Sequence, residues 1–169
     1  MKDHRNAVSA EALGLQEIVR AEIYRGTGGP YSEAPDETLC VNDLIVTAGR
    51  VYLAKRIGGD NIGSAMAYMA VGTTATAAAL GDTTLAGEVK RKILSTNSAG
   101  PTAANVYTAV MTLGGSADSV SSLAIVEAGI FNHASSGQGT MFQRVTFAAV
   151  TLANSDLLRL TLETNVGSS

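Results

Sequence analysis

From Val106 onward the chain is a succession of apolar segments: Val106 to Leu113, Ser122 to Asn132, Met141 to Val150 and Leu157 to Val166. They are parted by Gly114-Gly115-Ser116, Ser135-Ser136-Gly137-Gln138-Gly139 and Ala153-Asn154-Ser155-Asp156, residues that favour turns. The last segment alternates without a break, with Leu158, Leu160 and Leu162 on one face and Arg159, Thr161 and Glu163 on the other. A period of two belongs to a half-buried strand. Strands at this spacing, broken by glycine turns, point to an antiparallel sandwich. The expectation is a mainly β protein, an antiparallel, jelly-roll-like β-sandwich with one short helix and an N-terminal arm.

The upstream half supplies the remaining elements. Ile18 to Tyr24 reads as a strand, with Val19, Ala21 and Ile23 on one face and Ile18, Arg20, Glu22 and Tyr24 on the other. Gly26-Thr27-Gly28-Gly29-Pro30 breaks it. Leu39 to Val46, carrying Cys40, is a second strand. Thr47-Ala48-Gly49 opens a helix in which Val51, Ala54 and Ile57 recur at three-residue spacing; Lys55 and Arg56 complement its carboxyl end and Gly58-Gly59 stops it. Ala65 to Val71 is a buried strand, and Thr73 to Ala86 a loop followed by a helical turn near Thr84 to Glu88. Val89 to Ser95 is a strand and Asn97-Ser98-Ala99-Gly100-Pro101 a turn. Residues 1–16 form an arm or a short helix (Val8, Ala12 and Leu15 share one face), and residues 17–169 the sandwich.

Composition narrows the function classes. An apolar fraction of 46% in 169 residues fills a core and excludes wholesale disorder. The balance of 12 basic against 15 acidic side chains gives no footprint for nucleic acid. Cys40 is the one cysteine, so no disulfide closes within the chain and cysteine-based zinc sites are excluded. The start, Met1-Lys2-Asp3-His4-Arg5-Asn6, is unlike a secretory signal. No apolar run approaches the roughly 18 to 20 residues that span a bilayer, so no membrane partner is expected. Charge is uneven: 16 charged residues fall in positions 1–60 and 11 in 61–169, and between Lys92 and Arg144 only Asp118 and Glu127 are charged. Protein surfaces ordinarily carry more charge than this. The later part therefore either shows Ser, Thr, Ala, Asn and Gly to water or lies against other chains, whose interface centres are charge-poor.

Enzyme signals are weak. His4 and His133 have no second histidine at ligand spacing, and His133 reads as a solvent-facing turn residue. Cys40, within a strand pattern, reads as a small buried apolar residue. Gly58-Gly59-Asp60-Asn61-Ile62-Gly63-Ser64 has phosphate-loop glycine spacing, but Ser64 stands where the phosphate-binding lysine belongs. Gly137-Gln138-Gly139 lacks the third glycine of a dinucleotide fingerprint. Glu88 and Glu127, each in an otherwise uncharged stretch, are formally a candidate acid and base. With Lys90, Arg91 and Arg144 within reach, structural ion pairs are the expected role of Glu88, Glu127, Arg91 and Arg144. No catalytic, cofactor-binding or metal-ligating residue is assigned. Five Tyr, three Phe and no Trp are a poor supply for sugar-stacking platforms.

Several segments taken in order carry a family likeness. They are Asn42-Asp43-Leu44-Ile45-Val46-Thr47-Ala48-Gly49-Arg50, Met66-Ala67-Tyr68-Met69-Ala70-Val71-Gly72-Thr73 and Gly81-Asp82-Thr83-Thr84-Leu85-Ala86-Gly87-Glu88-Val89-Lys90-Arg91. Ile125-Val126-Glu127-Ala128-Gly129-Ile130-Phe131-Asn132 and Met141-Phe142-Gln143-Arg144-Val145-Thr146-Phe147 follow. Over roughly residues 18–166 this pattern resembles small structural proteins of tailed bacteriophage particles, of the tail, collar, fibre-associated or capsid-decoration kind. The Glu127 to Asn132 stretch is its most recognisable part, and Gly129 within it suits a β-bulge or a close backbone approach.

The resemblance implies a virion component, assembled in the host bacterial cytoplasm, that works by assembling and not by catalysis. It implies as partners further copies of the chain, as a homotrimer or other homo-oligomer, and tail, portal or neck, or major capsid proteins. A tail, collar or fibre-attachment role is the first expectation and a capsid decoration protein clipping shell subunits together the alternative. With no shaft or tip following Asn165-Val166-Gly167-Ser168-Ser169, a whole fibre is not expected. A carbohydrate-binding adhesion module and a small glycosidase-like enzyme are the competing classes.

Overall fold

The computed structural model describes residues 15–26, 34–60, 63–99 and 105–166. Residues 1–14 of the expected arm, most of the break at 26–30, Asn61-Ile62, Gly100-Pro101 and the last three residues lie outside the described residues.

Two antiparallel five-stranded sheets face each other as a β-sandwich. The first contains β1 (Leu15–Tyr24), β2 (Glu37–Asn42), β6 (Thr96–Ala99), β7 (Val106–Gly114) and β10 (Leu157–Val166), in the order β2-β1-β10-β7-β6. The second contains β3 (Leu44–Ile45), β4 (Tyr68–Gly72), β5 (Glu88–Ile93), β8 (Ala124–Phe131) and β9 (Met141–Thr151), in the order β3-β9-β8-β4-β5. The helix α1 (Thr47–Ile57) joins β3 to β4 and packs on β9. Between the sheets lie the residues that strand alternation assigned inward: Val19, Ala21, Ile23, Leu158, Leu160 and Leu162, joined by Met69, Val71, Met111, Leu113, Ile130 and Val145.

At both rims of the sandwich the chain walks from one sheet to the other. The expected Leu39 to Val46 strand is split at Asp43, whose carboxylate accepts the Leu44 N–H. The piece before it edges the first sheet and the piece after it edges the second. At the opposite rim β5 passes into β6 through Leu94 and Ser95, with the Leu94 N–H donating to Ala67 O and the Ser95 N–H to Val110 O. The turn expected at 97–101 is therefore a strand over Thr96–Ala99, because pairing with β7 (Asn97 opposite Ala109) outweighs a weak local turn preference.

Other expectations need correction. Cys40 is exposed, since strand alternation turns Leu39 and Val41 toward the core and leaves Cys40 on the outer face with Thr38. In α1 the Val51 and Ile57 positions face outward, and Gly49, Tyr52 and Leu53 face the sandwich. No helical turn forms over Thr84 to Glu88, where Glu88 already begins β5. The strand expected from Ala65 starts at Tyr68.

Gly49 sets the contact between α1 and β9, because a Cβ there would lie 2.0 Å from the Phe142 carbonyl oxygen. Gly81 has nothing within 4 Å of that position. Gly49→Ala is expected to lower unfolding stability by about 2 kcal/mol, and Gly81→Ala to leave it within about 0.5 kcal/mol, as read by urea denaturation.

Candidate functional site

Strand pairing brings two of the sequence-selected charges together. Glu127 on β8 and Arg144 on β9 share the outer face of the second sheet as diagonal neighbours, two residues apart in register. The long connection from β4 to β5 closes over them. Arg144 is 2% exposed, and Glu127 is fully buried. Every guanidinium N–H is used: Nε and Nη2 donate to Glu127 Oε2 at 3.1 and 2.8 Å, Nη2 also to Thr76 O, and Nη1 to Ala77 O and the Asp82 carboxylate. Glu127 in turn accepts the Gly87 N–H at Oε1 (2.7 Å) and the Ala86 N–H at Oε2 (3.1 Å). Gly72 lies opposite Glu127, and its missing side chain makes the room, since a Cβ would stand 2.3 Å from Glu127 Oε1. Beside this network a second apolar cluster of Val46, Ala70, Leu85, Phe131 and Met141 fills the space beneath the connection.

Glu88 and Arg91 meet as well. Arg91 Nε and Nη2 donate to the two Glu88 oxygens at 2.9 and 2.7 Å, and the guanidinium lies 3.7 Å above the Phe131 ring. Its Nη1 donates to the carbonyls of His133 and Gln138, holding the β8–β9 turn. His133 is exposed, and its Nδ1 accepts the Ser135 N–H. Asn132 Oδ1 accepts the Thr140 N–H across the same turn.

In the Glu127 to Asn132 stretch Gly129 serves close approach, a Cβ there standing 2.8 Å from Gln143 O and 3.1 Å from Leu85. The ladder irregularities flank it, between Ile125 and Glu127 and between Ile130 and Phe131.

Three carboxylates not singled out as sites do the same kind of work. Asp118 accepts Lys92 Nζ at 2.7 Å and the Gly114 N–H, with Lys90 Nζ at 3.6 Å. Asp156 accepts Arg25 Nη1 at 2.7 Å and the N–H groups of Gly26 and Ala153. Asp82 accepts the Ala79 N–H besides Arg144. Burial alone would raise all three acids, but their partners outweigh it and hold each below its ordinary range. Those partners are the Ala79 N–H and Arg144 for Asp82, Lys92 and the Gly114 N–H for Asp118, and the Ala153 N–H and Arg25 for Asp156. A signal for Asp118 was present, as it is one of two charges between Lys92 and Arg144. Nothing local marks Asp82 or Asp156, whose partners lie 62 and 131 residues away.

An apolar cavity of about 270 Å³ opens between α1 and the first sheet, lined by Tyr52, Leu53, Met66, Tyr107, Phe142 and Thr164 among others. The Tyr107 hydroxyl donates to Asn97 Oδ1 at 3.0 Å, and its ring meets Phe142 edge-on. Burial, with Tyr52 nearby, pushes the Tyr107 phenol far above its ordinary range. Among the described residues no three His, Cys, Asp or Glu side chains converge as a metal site, and no helix is long and apolar enough to cross a membrane. Comparisons with protein-family models, characterised proteins and solved structures find no match for this chain.

The arrangement at Glu127 and Arg144 fixes a loop to a sheet, because both groups have their hydrogen-bonding positions filled from within. Glu127→Gln leaves Arg144 buried without its full counter-charge, and is expected to cost about 3 kcal/mol and lower the thermal midpoint by roughly 10 °C, measured by circular dichroism. Acid titration is a second check. The three depressed aspartates bind protons more readily unfolded than folded, so the stability they add is present above about pH 4 and lost as the pH falls further. The thermal midpoint is accordingly expected to decline from about pH 4 downward.

Proposed function

We propose that the chain is a structural subunit of a tailed bacteriophage particle, a tail or collar or fibre-attachment component that acts by assembling with copies of itself and with neighbouring virion proteins. The sequence pattern from Asn42 to Phe147 suggests the class. The observation that carries the reading is where the apolar surface lies. Its buried carboxylates are committed to internal ion pairs and backbone N–H groups, while large apolar side chains stand in solvent. Ile57 is 81% exposed and Ile93 67%, with Val51, Leu80 and Val89 also exposed. Among the described residues these five belong to α1, the β4–β5 connection or β5, and the remaining exposed large apolar side chain, Ile18, lies on β1 of the first sheet. Large apolar side chains standing in solvent, most of them on α1, the β4–β5 connection and β5, suit contact with other proteins.

A virion subunit also needs little affinity per contact, since symmetry multiplies weak contacts. The test is to purify phage particles from an induced lysate of the source culture and label them with antibody against the chain. Electron microscopy is expected to place the label at the tail or collar. Label distributed over the shell moves the assignment to capsid decoration. Absence from every particle, with saturable glycan binding or turnover by the purified protein, overturns the reading.

A further inference from the structure

A sheet edge offers a row of unpaired backbone N–H and C=O groups, and proteins that stay apart protect such edges. Three of the four edges here are protected. β3 has two residues and runs into α1. β5 carries Lys90, Arg91 and Lys92, has a ladder irregularity opposite Val71 and Gly72, and turns both lysines inward to Asp118. β6 has four residues.

β2 has none of these devices. It is six residues long, its register with β1 is unbroken from Asn42 to Glu37, and it contains no proline. Its single charge, Glu37, sits at the first position and pairs with Arg25. Its backbone pairs with β1, and no hydrogen-bonded strand occupies its other side among the described residues, where β9 is the nearest element of the second sheet.

We propose that two copies of the chain join β2 to β2, antiparallel, about a two-fold axis through Cys40, continuing β2-β1-β10-β7-β6 across the interface as one ten-stranded sheet. This deepens the assembly reading, on which it rests, by naming a second copy as the partner and an edge as the contact. Directly opposed residues of an antiparallel pair share a face, so the two inner faces align only when odd positions meet odd and even meet even. Centring on Cys40 sets Leu39 of one copy against Val41 of the other, both packed on their own cores, and Thr38 against Asn42. Centring on Leu39 would set the Glu37 carboxylate against Val41 within the core-facing row, whereas centring on Cys40 moves it to the end of the paired stretch, opposite Asp43 where the chain leaves β2. In the Cys40-centred register the two Cys40 residues face each other with Cα atoms about 4.5 to 5.5 Å apart, within the span a disulfide accepts. The chain's one thiol, exposed on the outer face, therefore reports the contact.

The experiment measures solution mass by light scattering and cross-linking by diamide, which takes up the two electrons and two protons that two thiols release. Wild type is expected at twice the 17.3 kDa chain mass, with rapid conversion to a disulfide dimer on a non-reducing gel. Cys40→Ser is expected to keep the mass and lose the cross-link. Cys40→Lys opposes two ammonium groups and is expected to weaken association about tenfold with an unchanged circular dichroism spectrum, whereas Ser98→Lys on the β6 edge is expected to leave the dimer intact. A monomeric wild type, or an oligomer that Cys40→Lys leaves whole, overturns the β2 contact. Either result leaves the virion assignment standing if the label still appears on particles.

Discussion

The buried guanidinium of Arg144 is the constraint around which the second sheet is organised. A charge removed from water at this depth is tolerated only when each of its donors finds an acceptor. Glu127, Thr76, Ala77 and Asp82 supply them. Two of these acceptors are main-chain carbonyls of the β4–β5 connection, so satisfying the charge fixes the path of a segment with no strand or helix of its own. That path brings Leu85 onto Phe131 and Met141, and the second apolar cluster follows. The same segment presents Leu80 O to the Thr47 N–H at the start of α1, so the helix is tied to it too.

Three further connections obey the same rule. Arg91 holds the β8–β9 turn through two carbonyls, Asp118 ties the β7–β8 connection to the β5 lysines, and Asp156 ties the β9–β10 turn to Arg25 beyond β1. Buried ion pairs add little net stability over well-packed apolar groups, but an unpaired member is costly. Their use here is therefore one of specification: each loop has one arrangement that leaves no charge bare. Lys90 and Lys92 also close the rim where β5 turns into β6, so that stretch of edge is occupied from within the chain.

How much of this was legible in the sequence depends on whether the deciding interaction was local. The alternation of Leu158, Leu160 and Leu162 fixed the inner face of β10, and the bounds of that strand follow from it. The outward Cys40 is equally a matter of alternation, but the apolar pattern runs on through Asp43, where the chain changes sheets, and a lone thiol by residue type suits a buried position. The helix was found by its start and stop residues. Its buried face was missed because the contact rests on Gly49, which has no side chain to register in an apolar period. Glu127 and Arg144 were visible as isolated charges, yet nothing near either one names Asp82 or the carbonyls at 76 and 77. β6 has the composition of a turn, and Thr96–Ala99 is a strand because β7 holds it and not by its own preference.

The sparse charge of the later two-thirds has two explanations, exposed hydroxyl groups or contact with other chains, and the two sheets differ in how they bear on them. On the outer face of the first sheet Thr161, Thr112, Thr96 and Ser98 stand alongside Arg20, Glu22, Arg159 and Glu163. Hydroxyl groups wet most of that face, where Ile18 is the one exposed large apolar side chain among the described residues, so low charge there does not by itself call for a partner. The second sheet differs. Its outer face is covered by the chain's own connection, and the cover leaves Leu80, with Val51 and Ile57 of α1 and the β5 residues Val89 and Ile93, in water. An edge without protection at β2 and apolar side chains on the opposite sheet are two separate surfaces. A subunit with one isologous contact and one apolar contact to different neighbours can be both paired with its own kind and attached to a larger body. In the proposed assembly the two surfaces would be divided in this way, and the division would follow from which sheet the β4–β5 connection covers.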